Sequence, residues 1–568
     1  MISAQHEKVK YPFAKNKHTN KQQNYYCMNN LCQTAILIAF LCSFPHLSCQ
    51  TSPEHGSHLS ETGDSTHKTS LSAEDIERVV ANGWVSYTDF GAKGDGRTND
   101  IAAIAATHAF ANQHGLTVKA DDRATYYIGG DKCTVSIKTN TQFGEAQFII
   151  DDTAVEARNA HVFSVNSDKQ PFRPDKVTSL KRNQKTLDLP LTGSSLVTVT
   201  DSNVKRYIRY GANQNNGSSQ TDVFIVDRDG NVDQNTPIIW DFDQITEMTV
   251  LPLDETVLVV SGGRFTTIAN RENSQYNYYA RGIAIRRSNV VVEGLLHLVI
   301  GEGDHGAPYG GFINISNCAN VTVRNTLLTG HKVYRTIGSA GTPVSMGTYD
   351  ININRALNIT FENCSQTNDI NNTEYWGIMG SNYCKNVVYD HCTFSRFDAH
   401  MGVANATIRH STLGHQGINA IGSGVFTVEN STINGTNLIN LRSDYGSTWE
   451  GEFFIRNCIF APRGVKSGNV NLIGGSNTGQ HDFGYTCYMP ERITIENLQI
   501  DDSSHPEKYR GPAIFANFNK EMTDEAYLEK FPFIKTREVI LTNVSTASKL
   551  PLRISDNTYM FKDVVIVK

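Results

Sequence analysis

A short strand ending in asparagine or histidine returns on one coil after another through the second half of this 568-residue chain. Aligned in one column, the rows begin Asn320-Val-Thr-Val-Arg-Asn325, Asn358-Ile-Thr-Phe-Glu-Asn363, Asn386-Val-Val-Tyr-Asp-His391 and Asn405-Ala-Thr-Ile-Arg-His410. They continue as Val425-Phe-Thr-Val-Glu-Asn430, Phe453-Phe-Ile-Arg-Asn457, Arg492-Ile-Thr-Ile-Glu-Asn497 and Val539-Ile-Leu-Thr-Asn543. The period-2 alternation marks strands. The column residues are 38, 28, 19, 20, 27, 40 and 46 apart. A constant motif at variable spacing describes a solenoid whose loops lengthen on one side. In a parallel stack with about 4.8 Å per coil, equivalent residues form ladders. Asparagine tolerates the left-handed turn at the end of each strand, and its amide can bond the amides above and below. The alternating Val, Ile and Phe positions point inward, and Cys364, Cys392 and Cys458 read as buried thiols. From about residue 280 onward the expected fold is a right-handed parallel β-helix.

Further upstream stands Val85-Ser-Tyr-Thr-Asp-Phe-Gly-Ala-Lys-Gly-Asp-Gly-Arg-Thr-Asn-Asp100, followed by an Ala- and Ile-rich helix. This segment resembles the opening motif of the pectate-lyase-like superfamily, which includes polygalacturonases, several polysaccharide lyases and phage tailspikes. Asn99 departs from it, since aspartate is common there. The resemblance implies an all-β right-handed parallel β-helix over 84–568, with a helix capping its N-terminal end. It also implies a groove that binds sugar chains, and the chain looks most like an exported polysaccharide lyase acting on uronic-acid-containing glycans. Between about 176 and 254 the coil rhythm fades. Tyr207-Ile-Arg-Tyr, Asp222-Val-Phe-Ile-Val and Pro237-Ile-Ile-Trp read as hairpins around polar turns, a β-rich insertion on the early coils.

The N-terminus reads as an export signal over 1–49. Ala35 to Phe44 is an apolar run too short to span a bilayer, with Lys15, Lys17 and Lys21 upstream. His46-Leu47-Ser48-Cys49 resembles a bacterial lipoprotein cleavage site with Cys49 as the lipidated residue, although its first position is not the usual Leu. A polar tether is expected over 50–83. The expected location is therefore the cell surface (as an outer-membrane lipoprotein), the periplasm or the medium, with membrane attachment only through Cys49. With 51 Lys+Arg against 57 Asp+Glu the net charge is −6, which argues against nucleic acid as a partner. The seven cysteines beyond the leader contain no CxxC pair, so neither a zinc site nor a disulfide framework is expected. A monomer is expected.

The turns after each ladder strand are the places for chemistry, because function follows from a site and not from a fold. Counted from the ladder, His391-Cys-Thr-Phe-Ser-Arg396 and His410-Ser-Thr-Leu-Gly-His415 share one register. Arg396 and His415 are therefore expected to stack on adjacent coils, Asn368 one coil earlier, and His400 to align with Asn419. His391 and His410 fall in the ladder and read as turn residues. A lyase removes the proton α to a uronate carboxylate, so it needs cationic or amide donors at that carboxylate and a base and an acid in reach. The expected catalytic set is His400, His415, Arg396 and Tyr375. The expected binding set is Asn368, Trp376, Lys332, Arg335, Asn419 and Arg442. The substrate reads as an acidic polysaccharide, either a glycosaminoglycan such as chondroitin sulfate or a pectic polymer. The sequence assigns no cofactor; Ca2+ is compatible with such chemistry, but no tight Asp/Glu cluster maps to these turns. The second reading is a polygalacturonase-like glycoside hydrolase using Asp369, Glu374 or Asp398, with Gly414-His-Gln-Gly417 faintly similar to one of that family's motifs. The third is a non-catalytic glycan-binding solenoid.

Overall fold

The computed structural model describes residues 70–568. The expected export signal, Cys49 and most of the tether lie outside the described residues. Helix Ala73–Asn82 occupies the end of the stretch read as tether, which shortens that reading to the residues before it. Ser72 caps the helix, its Oγ accepting the Asp75 N–H at 3.1 Å.

The motif that opens the solenoid folds as strand Trp84–Ser86, one 3₁₀ turn and helix Ile101–His114. The buried Asp100 carboxylate accepts the Lys93 and Gly94 N–H groups at 2.7 and 3.0 Å and so holds the glycine-rich turn closed. From there the chain is an all-β, parallel solenoid. The sequence spacings are the pairing registers: Val321 pairs with Ile359, followed in turn by Val387, Ala406, Phe426, Phe453, Ile493 and Val539. The stack also extends backward, through Val290 to Leu258 and on to strand Thr141–Asp151.

Two asparagine ladders flank each repeated strand. On one side Asn289, Asn320, Asn358, Asn386 and Asn405 are joined amide to amide at 2.8–3.1 Å. On the other, Asn363 donates to Asn325 at 2.7 Å, and Asn430, Asn457, Asn497 and Asn543 are joined at 2.8–3.2 Å. Every one of these residues has a positive φ, which asparagine adopts at little cost. His391 and His410 occupy the second ladder with φ of 54° and 49°. Beneath it, the buried Cys364, Cys392 and Cys458 thiols point at carbonyls of the preceding coil, at 3.3–3.4 Å.

The chain leaves the solenoid after Asn166 and rejoins it at Leu258. In between, strands Ser195–Arg206, Ser218–Val226 and Glu247–Pro252 form a separate antiparallel sheet. Its own core includes Val197, Val199, Phe224, Ile238 and Phe242. Leu196 and Val223 rest on Ala319 and Leu357 of the solenoid, and Asp222 forms a buried ion pair with Lys385 at 2.7 Å. Among the described residues no helix is long and apolar enough to cross a membrane.

Candidate active site

Two departures from strict register build the site. Phe394 pairs with Leu413, but Arg396 pairs with Gly417, so His415 and Gln416 are extra residues looped out of the ladder. Arg396 therefore does not stack on His415, and Asp398 rather than His400 lies beside Asn419. The loop begins at Gly414 because the Ile370 carbonyl oxygen lies 1.9 Å from where a β-carbon would stand. His415 donates its backbone N–H to that carbonyl and its Nε2–H to the Tyr375 carbonyl, both at 2.9 Å. It thus clamps the 368–376 turn, and burial holds it neutral by pushing its pKa down. Gly414→Ala is expected to cost about 1–3 kcal/mol of overpacking, read as a lower thermal midpoint with the turn displaced.

The second departure produces His400. Ser381 pairs with Ala399 and Asn382 with Met401, which makes His400 the extra residue. Its Nδ1 donates to Asn382 Oδ1 at 2.9 Å, leaving Nε2 with a lone pair. The ring meets Tyr445 edge-on at 5.7 Å. Burial, reinforced by the Arg442 charge, pushes His400 down to about 3. It is a neutral imidazole across the physiological range.

Around His400 runs a string of alternating charges. Arg396 reaches Asp398 at 2.7 Å, Asp398 reaches Arg442 at 3.3 Å, and Arg442 grips Asp444 through two bonds at 3.0 and 2.6 Å. Arg209, on the loop after the first strand of the insertion, closes on Asp444 at 2.8 Å. Three guanidinium groups face two carboxylates, so the string carries one excess positive charge. Both carboxylates are held below the usual range by the arginines, against the upward push of burial. Arg396 spends one nitrogen on Asp398, while its buried Nε and Nη1 have no hydrogen-bond partner among the described residues. Trp376 lies over its guanidinium at 4.7 Å, and the Tyr349 hydroxyl donates to Asp398 at 3.4 Å.

Beside this string opens a cleft of about 610 Å³, lined among others by Arg209, Tyr210, Trp376, Asp444, Asn477 and His481. Of the sequence-predicted residues, Trp376 lines the cleft, while Arg396 and Arg442 belong to the charged string beside it, which runs around His400. The rest serve elsewhere. Asn368 Oδ1 accepts the Gly330 N–H at 2.7 Å, and Asn419 Oδ1 accepts the Asn440 amide at 2.9 Å. Tyr375 and Lys332 face each other in a short antiparallel pair, and Arg335 is exposed on the hairpin formed with Pro343–Ser345.

His331, next to the expected binding residue Lys332, is buried at 1% exposure and bridges Glu302 at 3.1 Å and Asp350 at 3.0 Å. Asp350 also holds His297 at 2.8 Å. The flanking carboxylates outweigh burial and raise His331 to about 9. This folded-state value lies above the 6.5 of an unfolded histidine. The stabilisation is therefore complete below about pH 6.5 and disappears as the pH rises through about 9. Urea midpoints measured from pH 6 to 10 are expected to fall along that interval, and His331→Gln to flatten the fall.

No family model and no curated protein matches the chain. Among solved structures it is similar to the tailspike gp61 of Pseudomonas phage phi297, at 12% identity over 82% of this chain and 80% of that one, with a TM-score of 0.48. The gp54 tailspike of Acinetobacter baumannii bacteriophage AP22, solved in complex with a capsular saccharide, gives 10% identity, 80% and 75% coverage and a TM-score of 0.44. PfbA, a surface adhesin of Streptococcus pneumoniae, gives 12%, 82%, 93% and 0.41.

The residues that sequence reasoning missed are Arg209, Tyr349 and Asp444. Arg209 comes from the β-rich insertion, from which no site residue was expected, 235 positions before its partner Asp444. One signal was available for Asp444, since it lies within the Asn440–Tyr445 turn that supplied Arg442.

Proposed function

We propose that the chain is a polysaccharide lyase, a right-handed parallel β-helix that cleaves an anionic, uronic-acid-containing polysaccharide by β-elimination. The observation that carries this reading is the Arg396–Asp398–Arg442–Asp444–Arg209 string, with its excess positive charge, lying beside a neutral histidine and a tryptophan-lined cleft. Trp376 and Arg209 meet the sugar chain, and the guanidinium groups balance the charge that builds on the uronate carboxylate as its α-proton leaves. His400 Nε2 takes that proton, and the Tyr349 hydroxyl supplies one to the departing glycosidic oxygen. The reading includes the export signal expected from the sequence, with the activity outside the cytoplasm, free or anchored through Cys49.

The hydrolase reading is less well supported, because inverting hydrolysis needs a carboxyl group that is protonated at working pH. Asp398 and Asp444 are both held ionised by arginines, and Asp369 and Glu374 are exposed on the 368–376 turn and do not line the cleft. The deciding experiment incubates the protein with chondroitin sulfate, hyaluronan, polygalacturonate and alginate while following ultraviolet absorbance of an unsaturated uronate and the release of reducing ends. New absorbance supports the lyase. Reducing ends without absorbance mean a hydrolase, and retention of a glycan with neither signal means a binding solenoid.

A further inference from the structure

The second ladder carries asparagine at 325, 363, 430, 457, 497 and 543, and histidine only at the adjacent positions 391 and 410. There the amide-to-amide chain is interrupted. The two imidazole rings stack at 4.6 Å with 22° between their planes, and the Asn430 amide approaches His410 Nε2 only at 3.4 Å. Both Nδ1 atoms turn to a single carboxylate oxygen, Asp390 Oδ1, at 2.7 Å from His391 and 3.3 Å from His410. The three donor atoms all lie within 4.8 Å of one another.

We propose that Asp390, His391 and His410 bind one divalent transition-metal ion of the zinc class. Zinc takes imidazole nitrogen and carboxylate oxygen at roughly 2.0–2.2 Å in a tetrahedral arrangement, which sets its donors about 3.3 Å apart. The His410 spacing matches that figure at 3.3 Å, the His391 spacing is shorter at 2.7 Å, and the two ring nitrogens lie within 4.8 Å of each other, so a shift of the His391 ring within its coil brings all three donors onto one ion. Each imidazole binds through Nδ1 in the tautomer with its proton on Nε2, so at His410 the 3.4 Å contact with the Asn430 amide nitrogen is given up on binding, and the fourth position stays open to water.

Two features support a site rather than a chance cluster. Asp390 stands where the next coils carry Arg409 and Glu429 and the preceding coil Glu362, so here the carboxylate is held one methylene closer to the backbone. Arg409 also engages the far oxygen, Oδ2, at 2.8 Å through Nε and 2.7 Å through Nη2. A ligating carboxylate is commonly oriented in this way by a partner on its other oxygen. A set dominated by imidazole favours zinc, copper or nickel over calcium or magnesium. Bound there, the ion ties the coil of His391 to that of His410 at the rung where the amide ladder fails.

The test is calorimetric titration of Zn2+ into the full chain and into His391→Asn/His410→Asn. Asparagine occupies this ladder on both flanking coils, so the variant keeps the fold, checked by circular dichroism. Six further histidines, at 6, 18, 46, 55, 58 and 67, precede the described region. The readout is therefore the difference between the two proteins and not the total uptake. The expected result is one equivalent lost in the variant. With it should go a Zn2+-dependent rise in Tm of about 2–3 °C at a hundredfold excess over Kd. Titration with Co2+ should give a visible absorption band in the wild type that is missing from the variant. Equal uptake and equal thermal shift in the two proteins would overturn the proposal, as would Ca2+ competing with Zn2+ on even terms.

Discussion

On the proposed lyase reading, replacing His400 with alanine is expected to lower turnover on the polysaccharide by about 10²–10⁴-fold, the usual contribution of a positioned general base. The reason lies in its surroundings. Asn382 occupies Nδ1, so Nε2 is left as the proton acceptor. Burial and the neighbouring guanidinium charge hold the ring neutral down to about pH 3. A base of this kind is always in its reactive form, at the expense of intrinsic basicity. The nearby arginines offset that weakness by stabilising the carbanion side of the equilibrium. The loss should fall on kcat, with KM within a few-fold of wild type, because the proposed sugar contacts of Trp376 and Arg209 are untouched. The wild-type rate should also show no acid limb from this group between pH 4 and 7. A limb centred near 6 would assign the base to a different residue.

What the sequence made legible is what repeats. The spacings of 38, 28, 19, 20, 27, 40 and 46 residues recur as strand registers, because one strand sequence imposes one pairing geometry whatever the loop length. Local departures were not legible. The two residues looped out after Gly414 follow from a close approach to Ile370, which lies 44 positions earlier. Nothing in Gly414-His-Gln-Gly417 announces that approach, so a strict count put His415 on the groove floor. The burial of His331 was hidden for a related reason. Its partners Glu302 and Asp350 stand 29 and 19 positions away, so nothing beside it in the chain announces the paired carboxylates. The charge string was half legible: Arg396 and Arg442 could be read from their turns, while Arg209 depended on how the insertion docks.

That docking leads to the largest effect expected on stability. Lys385 and Asp222 are 1% and 2% exposed and 2.7 Å apart. Lys385 Nζ also donates to the Pro237 carbonyl at 2.5 Å, and Asp222 Oδ2 accepts the Ile239 N–H at 2.8 Å. Lys385→Met leaves a carboxylate buried without its counter-ion and is expected to cost about 3–5 kcal/mol, measured from urea unfolding. The double variant Lys385→Met/Asp222→Asn removes the orphaned charge and keeps an acceptor for Ile239, so it should recover a large part of that loss. Equal losses in the single and double variants would mean that the pair contributes by packing alone. The same substitution should also reach the cleft. Asp222 belongs to the sheet strand that follows the loop carrying Arg209. If the pair anchors that sheet to the solenoid, turnover in Lys385→Met should fall at temperatures below its unfolding transition, with Arg209→Gln showing the same catalytic defect at full stability. Loss of turnover that tracks global unfolding alone would separate the anchor from the site.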